Sequence, residues 1–406
     1  MALEHIETVV IGGGQAGLAM SYHLAQRSLE HVVLERGRVA ERWRSERWDS
    51  LCFQSPKWNV RLPGFALQAG DPDAFATRDE IVGFIDSYAT QIRAPLRCGV
   101  EVHSLTNKQG SSRLLLDTSV GQIEAKNVVV ATGPYQAPVR TVRFDGPQLV
   151  IDARQYRNPD LLPDGAVLVI GSGNSGSQIA QDICSAGRRV FLSVSAHERT
   201  PRRYLGRDCI WWHIALGDAD AIREQRRTKN RSRLMTGVRG GQDVDLRRLA
   251  SDGVVLLGRV LAACDGTLSI APDLAANLAR ADASLAALIQ RFDEYAERAR
   301  LDRSYEPEAT LTCSQSKEAA EPLTLLNLAR AGVSTIVWAA GSRCDFSWIA
   351  LPVFASSSAQ HYRGVTKVPG VYFLGLPWLH KHKSAFLFGV GEDAEYLAAH
   401  IAGYRP

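Results

Sequence analysis

Thr8-Val9-Val10-Ile11-Gly12-Gly13-Gly14-Gln15-Ala16-Gly17 and Ala166-Val167-Leu168-Val169-Ile170-Gly171-Ser172-Gly173-Asn174-Ser175-Gly176 share one design. Each is an apolar run of strand length, then a glycine turn, then a helix-like continuation, Leu18 to Leu24 in the first and Ser177 to Ala180 in the second. That order suits a dinucleotide. Glycines make the tight turn and let the backbone approach a pyrophosphate, which then faces the free N–H groups and partial positive charge of a helix N-terminus. A chain with two such turns is expected to hold two dinucleotides, and the expected fold class is α/β with two Rossmann-like dinucleotide-binding domains.

The polar residues beyond each turn assign the pair. After the first turn the strand His31-Val32-Val33-Leu34 ends in Glu35, next to Arg36, and a carboxylate there can accept hydrogen bonds from both hydroxyls of an unphosphorylated ribose, which suits FAD. After the second, the strand Val190 to Ser195 ends without a carboxylate and is followed by Arg199, Arg202 and Arg203. Nothing there repels a 2′-phosphate, and guanidinium groups can grip it, so NADPH is expected rather than NADH. The candidate FAD contacts are Gly12, Gly14, Gln15, Ala16, Gly17, Glu35 and Arg36. Those for NADPH are Gly171, Gly173, Asn174, Ser175, Gly176 and the three arginines.

The bulk properties narrow the class. With 406 residues, 45% of them hydrophobic, the chain can build two or three cored domains. A net charge of +4 and the lack of a nucleic-acid-binding motif argue against an electrostatic DNA or RNA partner. The basic run Arg223 to Arg233 reads as a solvated helix or loop. The seven cysteines, Cys52, Cys98, Cys184, Cys209, Cys264, Cys313 and Cys344, include no pair two residues apart, so neither a redox-active dithiol nor a zinc site is expected. Met1 to Glu7 carries acids and leads into the first strand, and no apolar stretch is long enough to span a bilayer. The expectation is a reduced cytoplasmic protein without membrane contact, a monomer or a homodimer.

Outward from the first turn, Arg42 to Phe65 is crowded with aromatic and arginine residues, including Trp43, Trp48, Trp58 and the run Leu51-Cys52-Phe53-Gln54-Ser55-Pro56, able to lay flat surfaces over an isoalloxazine ring. The spacing predicts a helix over 78–93 and one or two packed helices over 273–300. The strand Asn127 to Val130 runs into Ala131-Thr132-Gly133, and Thr335 to Trp338 runs into Ala339-Ala340-Gly341. The end of the chain returns to strand, loop and helix (Val371 to Gly375, Leu376 to Leu387, Gly389 to Ala394), too little for a new domain. The expected layout is therefore a discontinuous FAD domain, 1–160 and 346–406, holding an NADPH domain, 161–345, with a mostly helical insertion at about 204–322.

Together these features resemble the class B flavin-dependent monooxygenases, over nearly the whole chain: Gly12 to Gly17, Glu35, Trp43-Arg44, Leu51 to Pro56, Ala131 to Gly133, Gly171 to Gly176, Arg199 to Arg203, Gly341 to Phe346 and Gly389 to Ala394. Arg202 to Asp208 and Gly375 to Trp378 look most like the short bacterial members of that group. One departure stands out. The family fingerprint is Phe-x-Gly, three residues, His, three residues, then Tyr or Trp, whereas here Phe144-Asp145-Gly146 precedes Val150 and Arg154 or, relaxed by two residues, Asp152 and Tyr156.

The resemblance implies that NADPH reduces FAD, that O2 adds to the flavin C4a, and that the peroxyflavin passes one oxygen to a small organic substrate. The protein's part is then to position the rings and keep the site dry. Gln54 and Ser55 are the catalytic candidates, facing the flavin N5 edge, and they read equally as turn residues before Pro56. Trp43, Ala131, Thr132, Gly133, Ala340, Gly341, Gly391 and Asp393 are implied cofactor contacts. Trp212, Trp378, His380 and Phe386 are candidates for the substrate pocket, with ordinary packing as their alternative. Oxygenation at nitrogen or sulfur is expected over Baeyer–Villiger insertion. An NADPH-dependent flavin reductase or oxidase and a flavin-bound sensor remain as competing readings.

Overall fold

A computed structural model describes residues 3–68, 70–222, 224, 233–302, 304, 317–355 and 358–403. Most of the basic run 223–233 lies outside the described residues.

The first sheet is built on the first glycine turn. It contains β1 (Glu4–Ile11), followed through the turn by α1 (Gln15–Gln26), then β2 (His31–Glu35) and β3 (Gly121–Val130). Its parallel strands run in space as Val371–Phe373, β3, β1, β2, Leu96–Cys98, and antiparallel strands join it at Val371–Phe373 and at β3. Parallel strands covered on both faces need apolar side chains on both, which explains the unbroken Val and Ile runs; Val9, Val10, Val33, Val128 and Val129 have no exposed surface. The helix Arg78–Gln91 begins at a reciprocal capping box between Thr77 and Glu80 and turns Ile81, Phe84, Ile85 and Tyr88 into the core. It stops two residues short of the expected end.

The second sheet repeats the plan. It is made of β4 (Leu149–Asp152), β5 (Ala166–Ile170), then α2 (Asn174–Ser185), β6 (Val190–Ser193), β7 (Val255–Leu257), α3 (Leu274–Arg298) and β8 (Val333–Trp338). The order β4-β8-β5-β6-β7 is wholly parallel. Strand for strand it matches the first sheet: Ile11 pairs Val130 before one small-residue turn, as Ile170 pairs Trp338 before the other.

Two expectations about boundaries need correction. The chain enters the second sheet at Leu149, before residue 160, because Leu149 to Asp152 pairs with β8. The region 204–322 is also not one helical insertion. Val255–Leu257, an apolar run bounded by Gly253 and Gly258, is a strand of the second sheet, and Val260–Cys264, Thr267–Ile270 and Leu325–Asn327 form a small antiparallel sheet. The helical part is real but smaller, chiefly Cys209–Ala215 and the 25-residue α3, joined around Tyr204, Trp212, Leu288 and Phe292. No helix among the described residues is long and apolar enough to cross a membrane.

Candidate functional site

The two turns have nearly the same geometry. Gly12 has φ +116° and Gly171 φ +106°, backbone open to glycine and strained for other residues. Their carbonyls are approached so closely that a β-carbon at Gly17 would lie 1.9 Å from the Gly12 oxygen, and one at Gly176 would lie 1.8 Å from the Gly171 oxygen. In both, the neighbouring strand's small turn closes the floor: Ala131 N–H donates to Ile11 O at 2.9 Å and Ala339 N–H to Ile170 O at 2.8 Å. The top is open. A β-carbon at Gly14 would meet nothing within 4 Å, nor would one at Gly133 or Gly341. Neither α1 nor α2 has a side-chain cap, so the first-turn N–H groups of Gln15, Ala16 and Gly17, and of Asn174, Ser175 and Gly176, are left for a ligand.

Beyond the turns the two sites differ. Glu35 at the end of β2 accepts from Gly13 N–H at 2.7 Å and from Gly37 N–H at 2.9 Å, one on each oxygen. A carboxylate has lone pairs to spare after two such bonds, so the ribose role remains open to it. In the second turn the polarity is reversed: the Ser172 hydroxyl accepts from the Ser195 N–H at 3.1 Å, and no carboxylate stands there. Asn174 is wired on both sides, accepting from Met235 N–H at 2.8 Å and donating to Gln54 Oε1 at 3.4 Å. Through that bond the segment below the flavin turn touches the opening of α2.

The remaining candidates divide clearly. Gln54 and Ser55 lie on the strand Cys52–Pro56, Ser55 being buried. Arg36 is exposed, 4.0 Å from Glu46. The half-buried Trp43 ring meets Phe53 edge-on at 5.8 Å between centroids. Gln136 donates to Thr132 Oγ1 at 2.9 Å and to Gly133 O at 2.6 Å, bracing the turn after β3. At the C-terminal helix Val390–Ile401, Gly391 packs against Pro63, where a β-carbon would come within 2.7 Å of the ring. Asp393 is buried behind it, and that burial pushes its carboxyl above the usual range.

Three sequence expectations fail on burial. Arg199 is inside an ion-pair cluster with Asp245 at 2.9 Å and Asp282 at 2.6 Å. Arg202, 3% exposed, forks onto both oxygens of Asp208 and donates to Gln54 O at 3.0 Å. Guanidinium groups so engaged cannot turn to a nucleotide phosphate without breaking these ion pairs, and for Arg202 that would leave the buried Asp208 unpaired. Trp212 is fully buried, stacked on Phe292 at 4.7 Å with its indole N–H on Tyr204 O, and so is a core residue of the helical part. Arg203 stands half-buried on the short strand Arg203–Tyr204.

The loop from Leu376 to Leu387 holds more than the sequence suggested. Trp378 has a left-handed backbone, φ +57°, a strain of roughly 1–3 kcal/mol for such a residue. Its ring stacks on His382 at 4.7 Å, and Phe386, 41% exposed, meets His382 edge-on at 5.3 Å. His380 is half-buried and donates its backbone N–H to Ser384 Oγ. The loop is tied to the flavin turn by Gln15 Nε2 donating to Ala385 O at 2.7 Å. On its far side it clasps the loop after Cys209–Ala215: His382 N–H donates to Ala221 O at 2.9 Å, and Asp220 lies 2.9 Å from Lys381 Nζ and 2.8 Å from Lys383 Nζ. Gln136 carries no distinctive sequence signal, and the contacts of Lys381, His382 and Lys383 with Asp220 and Ala221 join segments far apart in the chain.

The departing fingerprint is structural. Asp152 is buried and forks with Arg154, whose guanidinium also donates to Gln136 O at 2.7 Å. Buried Tyr156 donates to Asp182 Oδ2 on α2 at 2.6 Å, while Ser50 donates to Asp182 Oδ1 at 2.8 Å. The stretch therefore ties the surroundings of both turns together without a histidine.

Residues 9–205 match the pyridine nucleotide-disulphide oxidoreductase family, a span that contains both turns. The six cysteines among the described residues are all free. An uncharacterized CzcO-like oxidoreductase of Geobacillus kaustophilus is 32% identical over 99% of this chain and all of its own length. The indole-3-pyruvate monooxygenase YUCCA4 of Oryza sativa subsp. japonica is 31% identical over 49% of each chain. The flavin-containing monooxygenase of Stenotrophomonas maltophilia superposes with a TM-score of 0.67 at 18% identity, covering 99% of both chains. With paired glycine turns set on matching parallel sheets and a full-length relative among the CzcO-like oxidoreductases, the chain belongs to the class B flavin-dependent monooxygenases, a family of flavoprotein oxidoreductases.

Proposed function

We propose that the chain is an FAD-dependent monooxygenase that consumes NADPH and oxygenates a nitrogen or sulfur atom of a small organic substrate. The observation that carries this reading is the pair of equivalent turns, closed beneath by backbone contact and open above Gly14 and Gly341. Such a cradle fits a dinucleotide pyrophosphate. FAD would be held by Gly12, Gly14, Gln15, Ala16, Gly17 and Glu35, with Arg36, Trp43, Ala131, Thr132, Gly133, Gly391 and Asp393 around it. The second dinucleotide would be held by Gly171, Gly173, Asn174, Ser175 and Gly176, with Ala340 and Gly341 alongside. In domain terms, we assign residues up to 148 and from 346 onward to the FAD unit, and 149–345 to the nicotinamide unit.

When bound, FAD and NADPH supply the redox chemistry and the activation of O2. The protein's residues position and shield. Gln54, joined to Asn174 of α2, is placed to orient a polar edge where the two units meet, with Ser55 as its neighbour. Trp378 stacked on His382, with Phe386 edge-on to it, offers an aromatic surface able to shield the site from water. His380 lies in the same loop.

A screen of amines, sulfides and ketones tests the reading. Substrate-dependent NADPH oxidation with a product heavier by one oxygen atom is expected for an amine or a sulfide. Oxygen insertion beside a ketone carbonyl would replace this reading by the Baeyer–Villiger one. A reductase or oxidase reading draws on the fingerprint stretch, where Asp152 and Tyr156 make structural contacts in place of a histidine. NADPH consumption matched by hydrogen peroxide with every compound would favour it.

A further inference from the structure

The second site has lost two of its expected phosphate ligands, because Arg199 is spent on the half-buried Asp245 and Asp282, and Arg202 on the buried Asp208. Another cation is carried to the same place by α3. At the end of β6, Val194 O accepts from Asn277 Nδ2 at 3.4 Å, and Asn277, only 4% exposed, accepts in turn from Arg280 Nη1 at 3.3 Å. Arg280 is exposed and reaches back one turn along the helix, the direction helical side chains favour. Its guanidinium is thus two hydrogen bonds from the strand end that, in this type of parallel sheet, receives the adenosine ribose. The next residue, Ser195, is bonded to Ser172 of the glycine turn itself.

The surrounding acids do not cancel that charge. Asp273 is taken by Arg259 through a backbone and a side-chain bond, at 3.0 and 2.7 Å. Glu198 lies 3.4 Å from Arg233, and Asp282 is shared between Arg199 and Arg247. We propose that Arg280, held by Asn277, reads the 2′-phosphate of the nicotinamide dinucleotide, so that helix α3 rather than the loop after β6 sets the preference for NADPH over NADH. The inference rests on the assignment of the second turn to that dinucleotide.

Calorimetric titration of the FAD-loaded protein with NADP+ and NAD+ tests it without turnover. The wild type should bind NADP+ more tightly. Arg280→Ala should weaken NADP+ about tenfold, the worth of one charge-assisted contact, and Arg280→Glu further, with NAD+ affinity unchanged. Both variants should melt with the wild type, since the side chain is exposed. Equal losses for both nucleotides overturn the proposal, as does a wild type that does not discriminate. So does a collapse of the preference in Arg203→Ala but not in Arg280→Ala. A wild type that binds neither nucleotide brings down the assignment of the second turn, a failure distinct from that of Arg280.

Discussion

The first glycine turn is completed by a carboxylate, Glu35, and sends one long-range bond from Gln15 to Ala385 O, whereas the second has no carboxylate and shares Asn174 between two distant segments. Gly13 and Glu35 complete the first within a few dozen residues. In the second, Asn174 is shared with Met235 and Gln54, and the end of β6 is bridged by Asn277 from α3. The same local motif is closed once by a charged strand end and once by amide bonds to distant segments. The second should therefore respond more than the first to changes around Gln54, Met235 and Asn277.

The largest effects come from the closed floors of the turns. Gly17→Val and Gly176→Val each put a side chain into a space under 2 Å from a carbonyl oxygen. The first should yield protein without flavin absorbance, and the second should abolish NADP+ binding in calorimetry while the protein remains yellow. If Gly176→Val loses flavin as readily as Gly17→Val, the two seats are not separable. Gly14→Val sharpens the contrast, since its side chain enters open space. It should leave the unfolding temperature of flavin-free protein unchanged and still prevent flavin retention; yellow protein would count against pyrophosphate binding there.

A smaller effect is expected for Glu35→Gln, where FAD affinity should drop roughly tenfold, as for one charge-assisted hydrogen bond, and NADP+ affinity should hold. The last prediction concerns acid. Burial pushes His213 down to about 4, against an ordinary 6.5. Burial also works on its partner Asp218, but hydrogen bonds from His213 and Arg291, with their charges, hold that carboxyl below its usual range. A histidine kept neutral in the fold contributes stability that is present above 6.5 and lost as pH falls toward 4, and the aspartate's share is lost lower still, with the same sign. Between pH 7 and 5 the His213 contribution should fall by about 2 kcal/mol. Urea midpoints of wild type and His213→Gln should converge as pH is lowered; parallel curves would remove His213 as the cause.

Much of this was legible in the residues. Glycine turns after apolar strands are local signals, so both sheets, the C-terminal return of Val371–Phe373 and the helix capped by Thr77 could be read directly. Polar partnerships could not. Arg199 looks like a phosphate ligand because its partners Asp245 and Asp282 lie far along the chain, and Arg202 because nothing in the sequence marks Asp208, six residues on, as its buried counter-ion. Trp212 looked like a cleft residue because its stacking partner Phe292 lies on another helix. Val255–Leu257 was absorbed into a helical stretch because three apolar residues carry no period of their own.

The clasp of Lys381 and Lys383 on Asp220 means that the loop carrying Trp378, His382 and Phe386 is held in place by a segment from the middle of the sequence. Chimeras that exchange only the stretch around Asp220 with a cousin would arrive without their matching lysines, and the two segments are expected to change in pairs.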